Sequence, residues 1–164
     1  MSATASFRDP GGFCFGWHGR IFRAVNAQAL AELEPFLASP TATGLMGRGQ
    51  LVATHQAGAD LAGELRQDPA LERLLDQSGV AALYEHERVE FPSYPYEWAP
   101  EMLEAAAHLT LDLAQECLKA GYGLKDATPY NVLFRGSKPV FIDLLSFERR
   151  QPCDPIWKPH AQFC

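Results

Sequence analysis

Three polar residues at fixed spacing carry the chemistry open to this chain: Asp126, Asn131 five residues later, and Asp143 twelve residues after that. Between them lie two short apolar runs, 132–134 and 139–142, separated by Arg135-Gly136-Ser137-Lys138. Short apolar runs bounded by turn residues read as the two strands of a hairpin. Closing that hairpin brings Asn131 and Asp143 to the same end. One amide oxygen and one carboxylate then meet where a hard cation such as magnesium would sit, with Asp126 beside them as a base. Those are the minimum groups for moving a phosphoryl group.

The elements that must hold these groups follow from pattern. Residues 99–120 are the clearest helix: Pro100 suits a first turn, Glu101 and Glu104 its positive end, and Lys119 its last turn. Met102, Ala106, Leu109, Leu113 and Cys117 form one apolar stripe, and Gly121 and Gly123 stop the run. Near the start, Phe13, Phe15 and Trp17 alternate with Cys14 and Gly16 as in a half-buried strand. His18-Gly19 predicts a tight turn, and residues 20–25 the return strand. A helix is expected over 27–38 with Pro35 limiting it, a loop over 39–50, and a short strand over 51–54. A helical region over 58–77 broken near Asp68-Pro69 and strand-like runs at 81–84 and 88–91 come next. Pro92-Ser93-Tyr94-Pro95-Tyr96-Glu97-Trp98 is a stiff connector, since its two prolines fix backbone angles and remove amide donors.

The spacing Asp126-Ala-Thr-Pro-Tyr-Asn131, with Asp143 after the hairpin, resembles the catalytic loop and metal-binding aspartate of the protein-kinase superfamily. Ile142-Asp143 with Glu148 soon after looks more like the aminoglycoside and choline phosphotransferase branch. More narrowly, Tyr94 to Trp98, Leu124-Lys125-Asp126, Tyr130-Asn131 and the run from Phe141 to Glu148 resemble a bacterial kinase-like domain. That kind of domain commonly precedes a class I S-adenosylmethionine-dependent methyltransferase domain in one polypeptide. The resemblance covers roughly residues 12–164, with its specific motifs confined to 94–148.

The resemblance implies an α+β, protein-kinase-like fold: a small β-hairpin and helix N-lobe, then a truncated helical C-lobe carrying the catalytic-loop hairpin. Its division would be a flexible terminus (1–11), an N-lobe-like region (12–91), a hinge (92–98) and a partial C-lobe (99–164). It implies magnesium with ATP or another nucleotide as cofactor, held by Asn131 and Asp143. Asp126 would take the proton of a small-molecule or protein hydroxyl. Tyr96, Glu97 and Trp98 would wall the adenine, and Arg23 would stand in for the absent strand lysine. The turn 16–19 sits where the phosphate loop would be. S-adenosylmethionine would enter only through a downstream domain, because no Gly-x-Gly-x-Gly pattern is present here. Few residues follow Asp143, which reads as a fragment or truncated product.

Departures are as specific as the matches. Leu124 and Lys125 replace the usual His-Arg, and Thr128 stands where serine/threonine kinases keep a lysine, which weakens phosphate neutralisation. Arg23 offers a planar fork rather than a compact ammonium. Taken singly, Asp126, Asn131 and Asp143 are ordinary turn and strand-end residues; only their joint spacing speaks for a site. Three function classes follow: a phosphotransferase, a catalytically weak pseudokinase that senses a nucleotide or docks a substrate, and an accessory module of a methyltransferase.

Bulk properties exclude other classes. The 164 residues suit one domain with a real core, and 47% hydrophobic with 21% charged residues is an ordinary globular composition. A formal charge of -6 argues against a nucleic-acid binder. No run is long and apolar enough for a membrane span, and no secretory leader is evident, so the cytoplasm is expected. Cys14, Cys117, Cys153 and Cys164 form no Cys-x-x-Cys pair and read as free thiols. Cys153, His160 and Cys164 would supply only three ligands at spacing foreign to structural zinc.

Overall fold

The computed structural model describes residues 10–151 with Cys153 and Phe163, and the chain is mixed α+β. It divides into two compact units. One comprises the described residues up to Ala31 with Ala53–Arg88; the other comprises Glu32–Val52 and the described residues from Val89 onward.

The first unit is built on a four-stranded antiparallel sheet. Strands β1 (Gly12–Trp17) and β2 (Arg20–Asn26) form a hairpin whose turn, His18-Gly19, has positive φ at both residues. That conformation matches the right-handed strand twist. β2 also pairs with β4 (Val80–His86), which pairs with β3 (Thr54–Gln56). Period-two alternation sends Phe13, Phe15, Phe22, Ala24 and Leu83 into one core. Helices α3 (Ala59–Arg66) and α4 (Pro69–Gln77) contribute Leu65, Leu71 and Leu75 to it. The expected break between them falls at Asp68, whose carboxylate accepts from the amides of Ala70 and Leu71. The run 88–91 is not a strand.

In the second unit the site-bearing strands form two small ladders: β5 (Tyr122–Leu124) with β8 (Phe147–Arg149), and β6 (Val132–Arg135) with β7 (Lys138–Phe141). Helix α5 (Pro100–Lys119) supports them, burying Ala106, Leu109, Thr110, Leu113 and Cys117 along one stripe. Gly121 ends it at φ 80, a left-handed angle suited to glycine. Burial pushes the Cys117 thiol up to about 12, so it is an inert core group. Helix α1 (Ala27–Leu37) begins in the first unit, and its later half brings Phe36 under the ladders. The Phe36 ring stacks on Phe147 at 4.1 Å and meets Tyr122 edge-on at 5.2 Å. The Tyr122 hydroxyl donates to the Pro35 carbonyl at 3.1 Å.

Several expectations change. Residues 39–50 are not a loop: α2 (Pro40–Gly47) forms there because Ser39 Oγ accepts from the Ala42 amide and Pro40 occupies the first turn. The strand expected at 51–54 lies at Thr54–Gln56, while Leu51 makes an isolated parallel bridge to Phe141. Segment 32–52, placed by sequence in the region 12–91, belongs to the second unit because the Val52 amide bonds the Phe141 carbonyl and the Phe141 amide bonds the Gln50 carbonyl. The connector 92–98 also belongs to that unit. Residues 1–9 lie outside the description. Pro10 and Gly11, expected in a loose terminus, are held through carbonyls that accept from Asn26.

Phe36 is fully buried against two aromatic rings of the ladders, Tyr122 and Phe147. Phe36→Ala should cost about 3–5 kcal/mol of unfolding free energy. Urea denaturation measures this, and a loss under 1 kcal/mol would show that the aromatic cluster does not support the second unit.

Candidate functional site

Two tight connections face each other in the second unit. One, 125–131, runs from β5 to β6; the other, 142–146, runs from β7 to β8. Because β5 pairs with β8 and β6 with β7, both connections are pinned at both ends. The Lys125 amide donates to the Ser146 carbonyl at 2.8 Å, and the Ile142 amide donates to the Asn131 carbonyl at 2.8 Å. Sequence spacing alone places Asp126, Asn131 and Asp143 on these two connections; the ladders bring them side by side.

The Asn131 and Asp143 side chains join through Ser146. Its hydroxyl donates to Asp143 Oδ2 at 2.5 Å and accepts from Asn131 Nδ2 at 3.4 Å. Asn131 Nδ2 also donates to the Asp126 carbonyl at 3.4 Å. Both contacts fix the amide with its nitrogen inward, and Asn131 Oδ1 takes no hydrogen bond among the described residues. Asp143 Oδ1 accepts from the Leu145 amide at 3.4 Å, the cap of the short turn Leu144–Ser146. Asp126 Oδ1 accepts from the Thr128 amide at 3.2 Å, an aspartate turn, and Oδ2 takes no bond among the described residues.

Ser146 was not singled out by sequence. It lies in the motif Phe141 to Glu148 and is fully buried, which no single-residue pattern reveals. Among the described residues no group of three or more His, Cys, Asp or Glu is arranged for a metal ion. An amide oxygen with one carboxylate is nevertheless the sparse oxygen set magnesium accepts when phosphates complete its shell. Of the suggested zinc set, Cys153 is exposed, and His160 and Cys164 lie outside the described residues. Glu148 lies on β8 opposite Gly123 and forms no ion pair among the described residues.

The connector residues divide by role. The Glu97 carboxylate accepts from the Tyr94 amide at 2.8 Å, and the Trp98 indole donates to Ser93 Oγ at 3.1 Å while packing edge-on against Phe134 at 5.1 Å. Both side chains thus hold the connector in shape. Tyr96 is 75% exposed and stacks with Tyr94. Its phenol is raised, first by desolvation and then by Glu97, Tyr94 and Tyr130.

Arg23 belongs to the first unit, on β2 opposite Cys14 and Tyr84, and is only 7% exposed. Its Nε donates to His86 Nε2 at 3.3 Å. Arginine has no acceptor, so Nε2 is the unprotonated nitrogen, and Nδ1–H donates to Thr54 Oγ1 at 2.8 Å. The turn expected to cradle phosphate is a two-residue hairpin reversal, with Gly16 and Trp17 already paired in β1, so no loop remains there to wrap a ligand.

No protein-family model matches the chain. It is 37% identical over 161 residues to nodulation protein NoeA of Rhizobium meliloti (strain 1021), an alignment taking in 98% of this chain and 31% of that protein. The chain therefore spans about a third of the length of this curated relative. No helix among the described residues is long and apolar enough to cross a membrane.

Burial, with the Arg23 and His55 charges next in weight, lowers His86 from 6.5 to about 3. The unfolded chain therefore takes up this proton first as pH falls. Stability from the neutral ring is complete above about 6.5 and is lost progressively toward about 3. The slope reaches about 1.4 kcal/mol per pH unit. Urea unfolding at pH 7, 6 and 5 should show that slope, and His86→Gln should remove its share; parallel pH dependences would refute it.

Proposed function

We propose that this chain carries a kinase-like site that binds a magnesium nucleotide, with Asn131 and Asp143 holding the metal and Asp126 facing an acceptor hydroxyl. The single observation supporting it is the Asp143–Ser146–Asn131 hydrogen-bond chain at the base of the β6–β7 hairpin. When bound, the metal would supply the neutralisation of phosphate charge that is the main electrostatic need of phosphoryl transfer. Asn131 would offer Oδ1, because its nitrogen is committed to Ser146 and Asp126. Asp143 would bring its carboxylate from a turn whose amide and hydroxyl orient it. Asp126 Oδ2 would accept the proton of the attacking hydroxyl, while Oδ1 keeps the side chain in place on the Thr128 amide. The nucleotide base would meet Tyr96, the exposed ring of the connector.

A second reading, a catalytically weak pseudokinase or an accessory module of a class I S-adenosylmethionine-dependent methyltransferase, is favoured by Arg23. A cation committed to a buried histidine is a poor substitute for a mobile phosphate-binding lysine. The activity of any longer polypeptide would then lie outside these 164 residues.

Calorimetric titration with ATP, with and without magnesium, separates these readings. Magnesium-dependent binding is expected, and Asp143→Asn should abolish the magnesium-dependent part. If transfer occurs, Asp126→Asn should slow it by at least about 10²-fold, the usual worth of a positioned base, while changing nucleotide affinity less than twofold. Absence of any nucleotide binding, with or without magnesium, would overturn the proposal and leave the accessory-module reading.

A further inference from the structure

Helix α5 carries two apolar stripes. The first is the buried one, from Ala106 to Cys117. The second consists of Leu103, Ala107, Leu111, Ala114 and Leu118. Steps of four, four, three and four keep these residues within about 80° of the helix circumference. Leu103 is 45% exposed and Leu111 36%, while Ala107, Ala114 and Leu118 are half-buried. A helix that shows leucines to water along a continuous stripe has a face free for a partner.

The order of the stripe says which partner fits. It runs Leu-Ala-Leu-Ala-Leu in both directions, centred close to Leu111. Laid antiparallel on its own copy, Leu103 meets the partner's Leu118, Ala107 meets the partner's Ala114, and Leu111 meets its own equivalent. The two alanines, seven residues apart, let the helix axes come close.

The charges beside the stripe have the same symmetry. Glu101 and Glu104 stand on one flank at its start, Lys119 on the same flank at its end, and all three are exposed. None of these side chains forms an ion pair or hydrogen bond among the described residues. Antiparallel pairing sets the two glutamates against the partner's Lys119, and symmetry repeats the arrangement at the other end. Parallel pairing would set glutamate against glutamate and lysine against lysine. The antiparallel order also brings the positive start of each helix to the negative end of the other.

We propose that this face of α5 is a self-association surface, on which a second copy of the chain docks antiparallel about a two-fold axis near Leu111. Such an interface uses the same patch on both copies. Twenty residues make a helix about 30 Å long. One helix pair of that length gives a small contact, so the dimer belongs to the weak, concentration-dependent class.

Sedimentation velocity of the 164-residue chain at low salt, from about 10 μM to about 1 mM, tests this. Reversible dimerisation is expected. Glu104→Lys and Lys119→Glu, both at exposed positions, should each weaken it at least about fivefold. Mixed in equal amounts, these two variants should associate as tightly as the unsubstituted chain, because each supplies the charge the other needs. Leu111→Glu should weaken the dimer at least about tenfold; if that protein melts early, the two charge variants decide. A chain that stays monomeric to about 1 mM would give the stripe to another occupant and overturn the proposal. So would a dimer indifferent to the substitutions, or a mixture no tighter than either variant alone.

Discussion

The hydroxyl of Ser146 is the joint on which the candidate site depends. It donates to the Asp143 carboxylate and accepts from the Asn131 amide, so two side chains from different connections take one relative placement. Hydrogen bonds to a charged group are stronger than neutral ones, roughly 1.5–3 kcal/mol against about 1. The 2.5 Å contact to Asp143 is therefore the stiffer half, and the 3.4 Å contact to Asn131 the softer. The backbone does the coarse positioning before the hydroxyl acts. Nested ladders, β5 with β8 outside and β6 with β7 inside, leave 125–131 and 142–146 facing each other with amides tied at both ends.

Beneath those connections the stabilisation is apolar. Phe36, Phe141 and Phe147 are fully buried and pack ring against ring, and such burial outweighs any single polar contact. The first unit shows the contrasting case. Arg23, His86 and Thr54 form a buried polar chain, tolerable only because the histidine stays neutral and every contact has a donor and an acceptor. Removing one member strands the others. That network explains why Arg23, which its strand position suggests for phosphate, is held in the sheet.

Much of this was legible in the sequence. Period two gave β1, the His18-Gly19 turn gave β2 as its return strand, period 3.6 gave the stripe of α5, and the turn chemistry of Arg135 to Lys138 gave the β6–β7 hairpin. The misses have physical causes. Helix α2 hides in a Gly- and Thr-rich run because its start depends on the Ser39 cap and Pro40, not on hydrophobicity. β5 and β8 are three residues each, too short for any periodic signal, yet they clamp the candidate site. Glu97 and Trp98 drew attention as polar and aromatic connector residues, but local hydrogen bonding and packing against Phe134 occupy them. Ser146 went unassigned because a serine acquires meaning only from its two partners.

Magnesium-dependent nucleotide affinity of Ser146→Ala is the most direct measurement of whether that joint makes the site. The substitution removes one buried oxygen and leaves Asn131 and Asp143 in place, and a melting curve establishes that the fold persists. The account predicts that the magnesium-dependent gain in affinity falls at least tenfold while magnesium-free affinity is unchanged. An unaltered magnesium dependence in a folded Ser146→Ala protein would contradict it.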